Sequence, residues 1–300
     1  MKRILFAALM ALGLMGWAQE LTVGSYNIRL DCEYDRERGH SWDERVPYIT
    51  DLLEFVMPDA FGTQETLDHQ LQDMLRLLPE YDYIGTGREG PREGEYSSIF
   101  YNREKLRPLR SSTFWLSETP DTVSRGWDAV CHRVCTWGEF EIIATGDTIY
   151  FFNLHMDHIG TEARRNGAKL VVERMAEIAP KDAKIILTGD FNVDQHDEIY
   201  SIFTASGLID SYEAADRRFA TNGTFNNYKS DSYTDSRIDH VFVSPALHPY
   251  RYAILTDAYW VVDPDAATTK GAAAPQEIDF SSQQRRLPSD HYPVFVKLRY

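Results

Sequence analysis

The sequence predicts an α/β fold in which two packed β-sheets carry helices on their outer sides. Strands alternate with amphipathic helices early in the chain and pair as hairpins further along, which is typical of a layered α/β sandwich. The chain has 300 residues, and 43% of them are hydrophobic, which suffices for one large core without a second domain. We therefore expect a single domain over residues 19–300.

Residues 1–18 have the three parts of a secretory signal peptide. Lys2-Arg3 is followed by a mostly apolar run over residues 4–15 and by small residues near position 18. A membrane anchor is the alternative, but this run is shorter than the roughly 20 residues that span a bilayer. No later stretch of the sequence is long and apolar enough to span one. We expect a cleaved signal, a periplasmic or secreted protein, and no stable membrane insertion.

Apolar residues at helical spacing predict four helices. The first opens at Ser41, which can cap it together with Glu44 three residues further on, and the third ends at Pro180. The predicted helices cover residues 41–55, 67–78, 163–179 and 197–207. A polar, glycine-rich segment over residues 85–94 is predicted to be a loop.

Short apolar runs predict the strands. They cover residues 21–29, 60–65, 95–101, 130–137, 142–152 as a hairpin around Gly146-Asp147, 184–187, 237–243 and 289–296. Residues 246–288 are interpreted as a long insertion before the last strand. Part of it is irregular, and long loops of this kind are often functional or mobile.

The most informative strand is the one followed by Gly189-Asp190-Phe191-Asn192. Asp190 and Asn192 lie two residues apart in an extended segment, so their side chains leave on the same face. A carboxylate beside a neutral amide suits a hard divalent cation or a phosphoryl oxygen. Glycine, aspartate and asparagine are also common turn formers, so an ordinary turn is the alternative.

The same construction, an apolar strand with polar side chains at one end, recurs along the chain. The other polar strand ends carry Asn27, Glu65, Asn153 with His155, Asp239, and Asp290 with His291. A lone acid in a strand is usually a solvated surface group. Asp239, however, lies among apolar residues, and a buried carboxylate must be paired or bind a metal. We therefore predict that these strand ends meet in one site at one edge of a sheet.

The order of the polar motifs along the chain carries further information. The order is Asn27, Gln64-Glu65, Asn153-x-His155, Gly189-Asp190-Phe191-Asn192, Arg237-Ile238-Asp239 and Ser289-Asp290-His291. Over residues 20–300 this ordered set resembles the endonuclease/exonuclease/phosphatase, or DNase I-like, superfamily. The segment Tyr96–Tyr101 is most similar to its bacterial deadenylase/nocturnin-like branch. The resemblance implies a four-layer α/β sandwich of two mainly antiparallel sheets flanked by helices, with the site at one end.

The resemblance also implies a divalent-metal-dependent hydrolase of phosphate esters, which covers phosphodiesterases, nucleases and phosphatases. Water would attack phosphorus in line, with assistance from the metal and from two histidines. Mg²⁺ or Mn²⁺ is the expected cofactor. Glu65 would be its main ligand, with Asn27 and Asp290 nearby, directly or through water.

Other candidate residues would act on the attacking water and on the phosphoryl group. Asp190 would orient or deprotonate the water, and Asn192 would donate to a phosphoryl oxygen. His291, oriented by Asp239, would bind the phosphate or act as a base. His155 would contribute proton transfer or stabilise charge in the transition state.

Three further side chains are expected near the site. The resemblance to DNase I-like members makes Glu95 a candidate to orient His155. Arg133, in the predicted strand over residues 130–137, and Arg29 would bind the substrate phosphate through their guanidinium groups. An ordinary surface salt bridge is the alternative for each arginine.

The charge of the chain limits its partners. The formal net charge is −15, and removal of Lys2 and Arg3 with the signal makes it −17. Tight non-specific binding to nucleic acid depends on Lys and Arg side chains that neutralise phosphates, and is therefore not expected. The substrate stays open among a nucleotide, a nucleic-acid end, a sugar phosphate and a lipid head group. We expect the protein to be a monomer.

A non-catalytic protein that binds a phosphate ligand on the same scaffold is the rival hypothesis. Degenerate relatives of this kind would be expected to lose Glu65, Asp190 or His291, and all three are present. The sequence therefore favours an enzyme.

The chain has three cysteines, Cys32, Cys131 and Cys135, and the odd count leaves at least one unpaired in a monomer. Two interpretations stay open: a disulfide bond between Cys131 and Cys135, and reduced cysteines that pack as small buried apolar residues.

Overall fold

The computed structural model describes residues 19–300, so the predicted signal peptide lies outside the described residues. The helices are α1 (Glu33–Arg36), α2 (Trp42–Val56), α3 (Asp68–Leu77), α4 (Thr161–Ile178), α5 (Tyr200–Ala205) and α6 (Ser211–Ala214). The strands are β1 (Glu20–Asn27), β2 (Ala60–Gln64), β3 (Tyr81–Ile84), β4 (Ile99–Asn102), β5 (Leu106–Trp115), β6 (Val134–Ile142), β7 (Thr148–His155), β8 (Lys184–Asp190), β9 (Ile209–Asp210), β10 (Arg217–Phe219), β11 (Asp239–Val243), β12 (His248–Ile254), β13 (Tyr259–Val261), β14 (Thr268–Lys270), β15 (Asp279–Ser281), β16 (Gln284–Arg286) and β17 (Val294–Arg299). Within residues 19–300, no helix is both long enough and apolar enough to cross a membrane.

Two large sheets contain most of these strands. One has seven strands in the order β10-β12-β17-β1-β2-β4-β3, and the other has six in the order β5-β6-β7-β8-β11-β9. The pairs β1–β2, β7–β8 and β10–β12 are parallel, and the other neighbours in both sheets are antiparallel. The predicted pair of mainly antiparallel sheets is confirmed.

Three apolar clusters separate the layers of the fold. The first lies between the sheets and joins side chains of both, among them Val23, Val296, Phe151 and Ile186. The second covers the outer face of the six-stranded sheet with α4 and α5, and the third covers the seven-stranded sheet with α2 and α3. The layers run helices, sheet, sheet, helices, which confirms the predicted four-layer sandwich.

Helix α2 shows how the local sequence builds one outer layer. Val46, Ile49 and Leu53 lie at helical spacing, and all three are buried in the third cluster. Ser41 is the N-cap residue, as predicted, but its Oγ donates to the Glu44 carboxylate at 3.1 Å and makes no side-chain cap. The helix start is therefore right, whereas the reciprocal capping box is absent.

The helix predicted over residues 197–207 is shorter than expected and begins only at Tyr200. The carboxylate of Asp194 accepts from the backbone N–H of His196, and that of Asp197 accepts from Ile199. These local hydrogen bonds hold the preceding segment in turns, which compete with helix formation.

Strands β4, β6 and β17 begin later than predicted. Glu95, Arg133 and His291 therefore lie in the segments that precede these strands. The backbone of these segments bonds to loops: the carbonyl of Asp290, for example, accepts from the N–H of Asn226. These three candidate site residues thus lie on loops at the ends of the sheets.

The interpretation of residues 246–288 as one long insertion was partly wrong, because they contain β12 of the seven-stranded sheet. Tyr252 and Ile254 are buried, and they alternate with the more exposed Arg251 and Ala253. This alternation is a strand signal in the sequence itself. The rest of the segment forms two short hairpins, β13–β16 and β14–β15.

We expect Gly62→Ala to destabilise the protein. Gly62 lies on β2 against the other sheet, and a Cβ atom there would overlap the buried Asn153 side chain and Thr188 Oγ1. Forcing extra volume into such a position costs about 1–3 kcal/mol. Thermal and urea unfolding would measure the loss.

Gly167→Ala is the matched control for this substitution. Its Cβ would lie 3.6 Å from Leu116 Cβ, an ordinary contact, and Gly167 is inside α4. Alanine in a helix interior should raise the stability by about 0.5–1 kcal/mol. Equal effects of the two substitutions would show that the contact between the sheets is looser than described.

Candidate active site

The polar strand ends meet at one end of the two sheets, as predicted. The seven-stranded sheet contributes Asn27 and Glu65, because the parallel strands β1 and β2 end side by side. The six-stranded sheet contributes His155 opposite Asp190 from the parallel pair β7–β8. Antiparallel β11 begins with Asp239, which also lies opposite Asp190. The site is therefore divided between the sheets.

Three non-glycine residues near these strand ends have a left-handed backbone. Arg29 has φ 60°, Glu65 has φ 60°, and Asn192 has φ 50°. Such conformations cost about 1–3 kcal/mol for ordinary residues and cluster at functional sites. The backbone thus turns sharply just after β1, β2 and β8.

Asn27 lies at the centre of the acidic part of the site. Its Nδ2 donates to Glu65 Oε1 at 3.1 Å and to Asp190 Oδ2 at 3.0 Å. Carboxylate oxygens of Glu65 and Asp190 lie within 4.8 Å of each other, close enough to share one cation. Asp290 Oδ1 is buried and has no hydrogen-bond partner among the described residues. This oxygen-rich set fits a hard divalent cation.

Arg29 balances the charge of these carboxylates. Its Nη1 lies 3.5 Å from Glu65 Oε2 and 3.6 Å from Asp290 Oδ2, while its Nε donates to Asp35 at 2.7 Å. Burial opposes the charge of Glu65, but Arg29 and His291 outweigh it and lower the pKa of Glu65. Burial, together with the charge of Glu65, raises the pKa of Asp290. Glu65 is therefore the carboxylate that stays ionised most readily.

The two imidazoles have opposite environments. Nδ1 of His291 lies 2.8 Å from Asp239 Oδ2; burial opposes its charge, but Asp239 and Asp190 raise the pKa of His291 well above its usual value. Nε2 of His155 lies 3.3 Å from Asp190 Oδ2, yet burial and nearby arginines such as Arg133 hold the pKa of His155 well below its usual value. The ring of His291 therefore favours its protonated form, whereas the ring of His155 favours its neutral form.

Three guanidinium groups line a cavity of about 420 Å³. Arg29 and Arg133 were predicted there, and Arg88 joins them. Arg133 Nη2 lies 3.0 Å from His158 Nδ1, while Arg133 Nε and Nη1 are buried without a hydrogen-bond partner in residues 19–300. Arg88 donates to Glu95 at 2.7 Å. Unpaired guanidinium N–H groups at a cavity wall are suited to an anion with several oxygens.

Most of the predicted site residues line this cavity. They are Arg29, Glu65, Glu95, Arg133, His155, Asp190, Asn192, Asp290 and His291. Asn27 and Asp239 lie behind the cavity wall and act through their hydrogen bonds to the residues in front of them. Secondary interactions of this kind fix the orientation of the groups in the wall.

Glu95 makes no hydrogen bond to His155 among the described residues, and the orienting role that the resemblance implied stays a prediction. Its Oε2 lies 4.0 Å from His155 Nδ1, because the carboxylate is turned towards Arg88. Burial and the charge of Glu65 raise the pKa of Glu95. Any effect of Glu95 on His155 is therefore electrostatic.

Asn192 is held from two sides. Its backbone N–H donates to Asp190 Oδ1 at 3.0 Å, and its side-chain Nδ2 donates to the Met156 carbonyl at 2.9 Å. One hydrogen of the side-chain amide is left for another acceptor.

Sequence reasoning missed Arg88 and Arg45. Arg88 lies in the glycine-rich loop, where no pattern marks a binding residue. Arg45 lies near the start of an amphipathic helix, where a charged residue is expected to be exposed to solvent, yet it is fully buried. It donates to the carbonyls of Ile28 and Pro288 at 2.7 and 3.0 Å, and thereby ties the segment after β1 to the one that carries Asp290.

A second group of potential metal ligands, Cys131, Asp157 and His158, lies at the mouth of the cavity. The Asp157 carboxylate already accepts several backbone N–H groups, and Arg133 lies 3.6 Å from it. The positive charge of Arg133 would repel a metal cation here, so these three ligands do not form a competing metal site. Cys131 and Cys135 are both free thiols, so the bond between them is not formed.

Comparison with known proteins identifies the family. Residues 24–291 match the model of the Endonuclease/Exonuclease/phosphatase family. The chain belongs to this family. A solved structure of a mannosyl-6-phosphatase from Bacteroides thetaiotaomicron has 48% sequence identity, covers 93% of this chain and 100% of its own, and gives a TM-score of 0.86.

More distant proteins are also similar to the chain. An uncharacterized protein of Acanthamoeba polyphaga mimivirus is 32% identical over 163 residues, which is 52% of this chain; the chain spans 60% of that relative's length. The catalytic domain of human Nocturnin is 18% identical, covers 93% of each chain and gives a TM-score of 0.64. At that identity, Nocturnin shows a shared fold.

We expect Asp239→Asn to lower the pKa of His291. Asp239 makes the largest contribution that raises this pKa, so its loss leaves the opposing effect of burial less compensated. An NMR titration of the His291 ring in EDTA would measure the shift. Asp121→Asn, which removes an exposed carboxylate beside Arg174, is the control. An unchanged His291 pKa in Asp239→Asn would exclude the proposed coupling.

Proposed function

We propose that this protein is an exported phosphomonoesterase that depends on Mg²⁺ or Mn²⁺ and removes phosphate from the 6-position of mannosyl sugars. One observation carries the proposal: three guanidinium groups and the Glu65, Asp190 and His291 cluster converge on one cavity. Family membership supports phosphoester hydrolysis in general. The sugar class comes from the 48% identical relative named as a mannosyl-6-phosphatase.

The shape of the cavity favours a compact phosphate ester. Its volume of about 420 Å³ is within the range of small-ligand sites. Phe225 also lines it; the residue is 40% exposed, and its ring centroid lies 5.0 Å from that of His291. An exposed ring beside a phosphate-binding wall suits the apolar face of a hexose. The net charge of −15 counts against a long polynucleotide.

The oxygen-rich part of the site would hold the metal. Glu65 and Asp290 are its proposed ligands, directly or through water, in agreement with the unpaired buried oxygen of Asp290, and Asn27 would hold Glu65 in place by its hydrogen bond. A bound Mg²⁺ or Mn²⁺ would supply Lewis acidity towards a phosphoryl oxygen.

The other site residues would act on the attacking water and on the phosphoryl group. Burial raises the pKa of Asp190 to about 7, which suits a group that takes a proton from water near neutral pH. Arg133, which lines the cavity, would bind the phosphate through its guanidinium group. His291, held cationic by Asp239, would stabilise negative charge on the phosphoryl oxygens. His155 would assist proton transfer.

We expect the purified protein to hydrolyse mannose 6-phosphate, with activity lost in EDTA and restored by Mg²⁺ or Mn²⁺. His291→Ala should lower kcat by about 10²- to 10⁴-fold, the range for loss of a group that assists proton transfer or stabilises charge. His248→Ala is the matched control, because His248 is exposed on β12 and pairs with Asp216. Released phosphate would be measured for each variant.

The comparison substrates decide between alternatives. Turnover of bis-p-nitrophenyl phosphate or oligo(A), with none of mannose 6-phosphate, would replace the proposal by a phosphodiesterase or nuclease. Mg²⁺ binding by calorimetry without turnover of any substrate would support the non-catalytic phosphate-binding protein.

Phe225→Ala should raise KM for mannose 6-phosphate by about 3- to 10-fold, in line with the loss of one aromatic contact. KM for glycerol 3-phosphate, which has no ring, should stay the same, and Phe225→Trp should restore the KM for the sugar. Equal losses with both substrates would mean that Phe225 supports His291 and does not bind a sugar.

A further inference from the structure

A row of basic side chains crosses the outer face of the seven-stranded sheet, away from the catalytic cavity. Arg217 on β10 pairs in register with Arg251 on β12, and Arg251 pairs with Lys297 on β17. Paired residues in a sheet project their side chains to the same face, so the three cations lie side by side. All three are exposed.

A second row, which contains two phenylalanines, runs parallel to the basic row. Phe219 pairs with Ala253, and Ala253 pairs with Phe295, which is buried. Phe55, at the end of α2, is 87% exposed, and Phe219 is 64% exposed. Together the two rows and Phe55 line a groove of about 510 Å³.

The basic row forms no close ion pair among the described residues, and Glu20 attracts Lys297 only from further away. Within residues 19–300, no carboxylate oxygen lies within 4.0 Å of the cationic groups of Arg217, Arg251 or Lys297, although the neighbouring Arg218 and Arg299 are both paired. Like charges placed opposite each other in a sheet are destabilising. The chain has 46 acidic and 31 basic residues, so carboxylates are more numerous than basic side chains. Three adjacent cations without an ion pair therefore indicate a binding site for an external anion.

Protection of the sheet edge does not account for this row. Charged residues on an edge strand prevent pairing with other chains, and β10 is an edge strand. Arg251 and Lys297, however, lie on the second and third strands from that edge. Their charges cannot serve that purpose.

A second cavity lies between this groove and the catalytic site. It has a volume of about 340 Å³ and shares Phe55 and Leu255 with the groove. His291 lines both this second cavity and the catalytic cavity. Tyr48, stacked on Tyr259 at 4.0 Å, adds an aromatic wall. The three cavities are therefore linked through shared lining residues, from the outer face of the seven-stranded sheet to the catalytic end.

We propose that the groove binds a second phosphate group of a saccharide chain whose first phosphate lies in the catalytic cavity. The basic row takes the phosphate, and the rings of Phe219 and Phe55 pack against the sugar. This inference rests on the proposed function, because it takes the substrate to be a phosphorylated sugar. The proposed groove would make the protein prefer saccharide chains that carry more than one phosphate group.

The test compares Arg251→Ala/Lys297→Ala with the unmodified protein on two substrates. The first is mannose 6-phosphate, and the second is a mannose oligosaccharide that carries two 6-phosphates. The double variant should keep kcat/KM for the monosaccharide within about 2-fold, and its KM for the oligosaccharide should rise by about 10-fold, or about 1.4 kcal/mol. Lys169→Ala/Lys181→Ala removes two exposed charges elsewhere and should change neither value.

Each result has a defined meaning. No change in KM for the oligosaccharide, or equal loss on both substrates, would overturn the groove proposal. If the unmodified protein does not hydrolyse mannose 6-phosphate, the proposed function fails, and calorimetric titration with the same oligosaccharide still tests the groove. Weaker binding by Arg251→Ala/Lys297→Ala than by the control would support it, and equal binding would overturn it.

Discussion

A buried amide pair between the two sheets is the contact on which the catalytic geometry depends. Gln64 Nε2 donates to Asn153 Oδ1 at 2.6 Å, and Thr188 Oγ1 donates to the same oxygen at 3.0 Å. Asn153 Nδ2 in turn donates to the carbonyls of Thr63 and Ser98 at 2.8 and 2.9 Å. Unpaired polar groups are expensive in a low-dielectric core, so this network permits few arrangements of one sheet on the other. Apolar packing alone would tolerate small slides between the sheets.

The site needs that fixed arrangement because each sheet supplies half of it. Glu65 comes from the seven-stranded sheet, whereas Asp190 and Asp239 come from the other one. Burying several acids so close together is unfavourable unless positive charges lie among them. Arg29 and His291 provide these charges, and the result is a set of carboxylates with divergent pKa values. Divergent pKa values allow one group to stay ionised while its neighbour exchanges a proton.

The distribution of charge matters more for recognition than the net charge does. The chain is strongly acidic overall, yet its catalytic cavity contains Arg29, Arg88 and Arg133, and a separate basic row crosses one sheet face. A negative background with local positive sites disfavours long polyanions and still accepts discrete phosphate groups. This pattern suits a protein that binds individual phosphate groups at separate positive sites.

The sequence by itself determined the fold class, the family resemblance and the polar strand ends that line the cavity. These are local features: an apolar run and the polar residue that ends it are adjacent in the chain, and Asp190 at the end of β8 is an example. Only the tertiary structure decided that Glu95 turns to Arg88, that Arg45 is buried, and that Arg251 lies between two other cations. Each of these depends on segments far apart in sequence, and the partner that a flexible charged side chain finds is set by sheet register and packing, which no local pattern records.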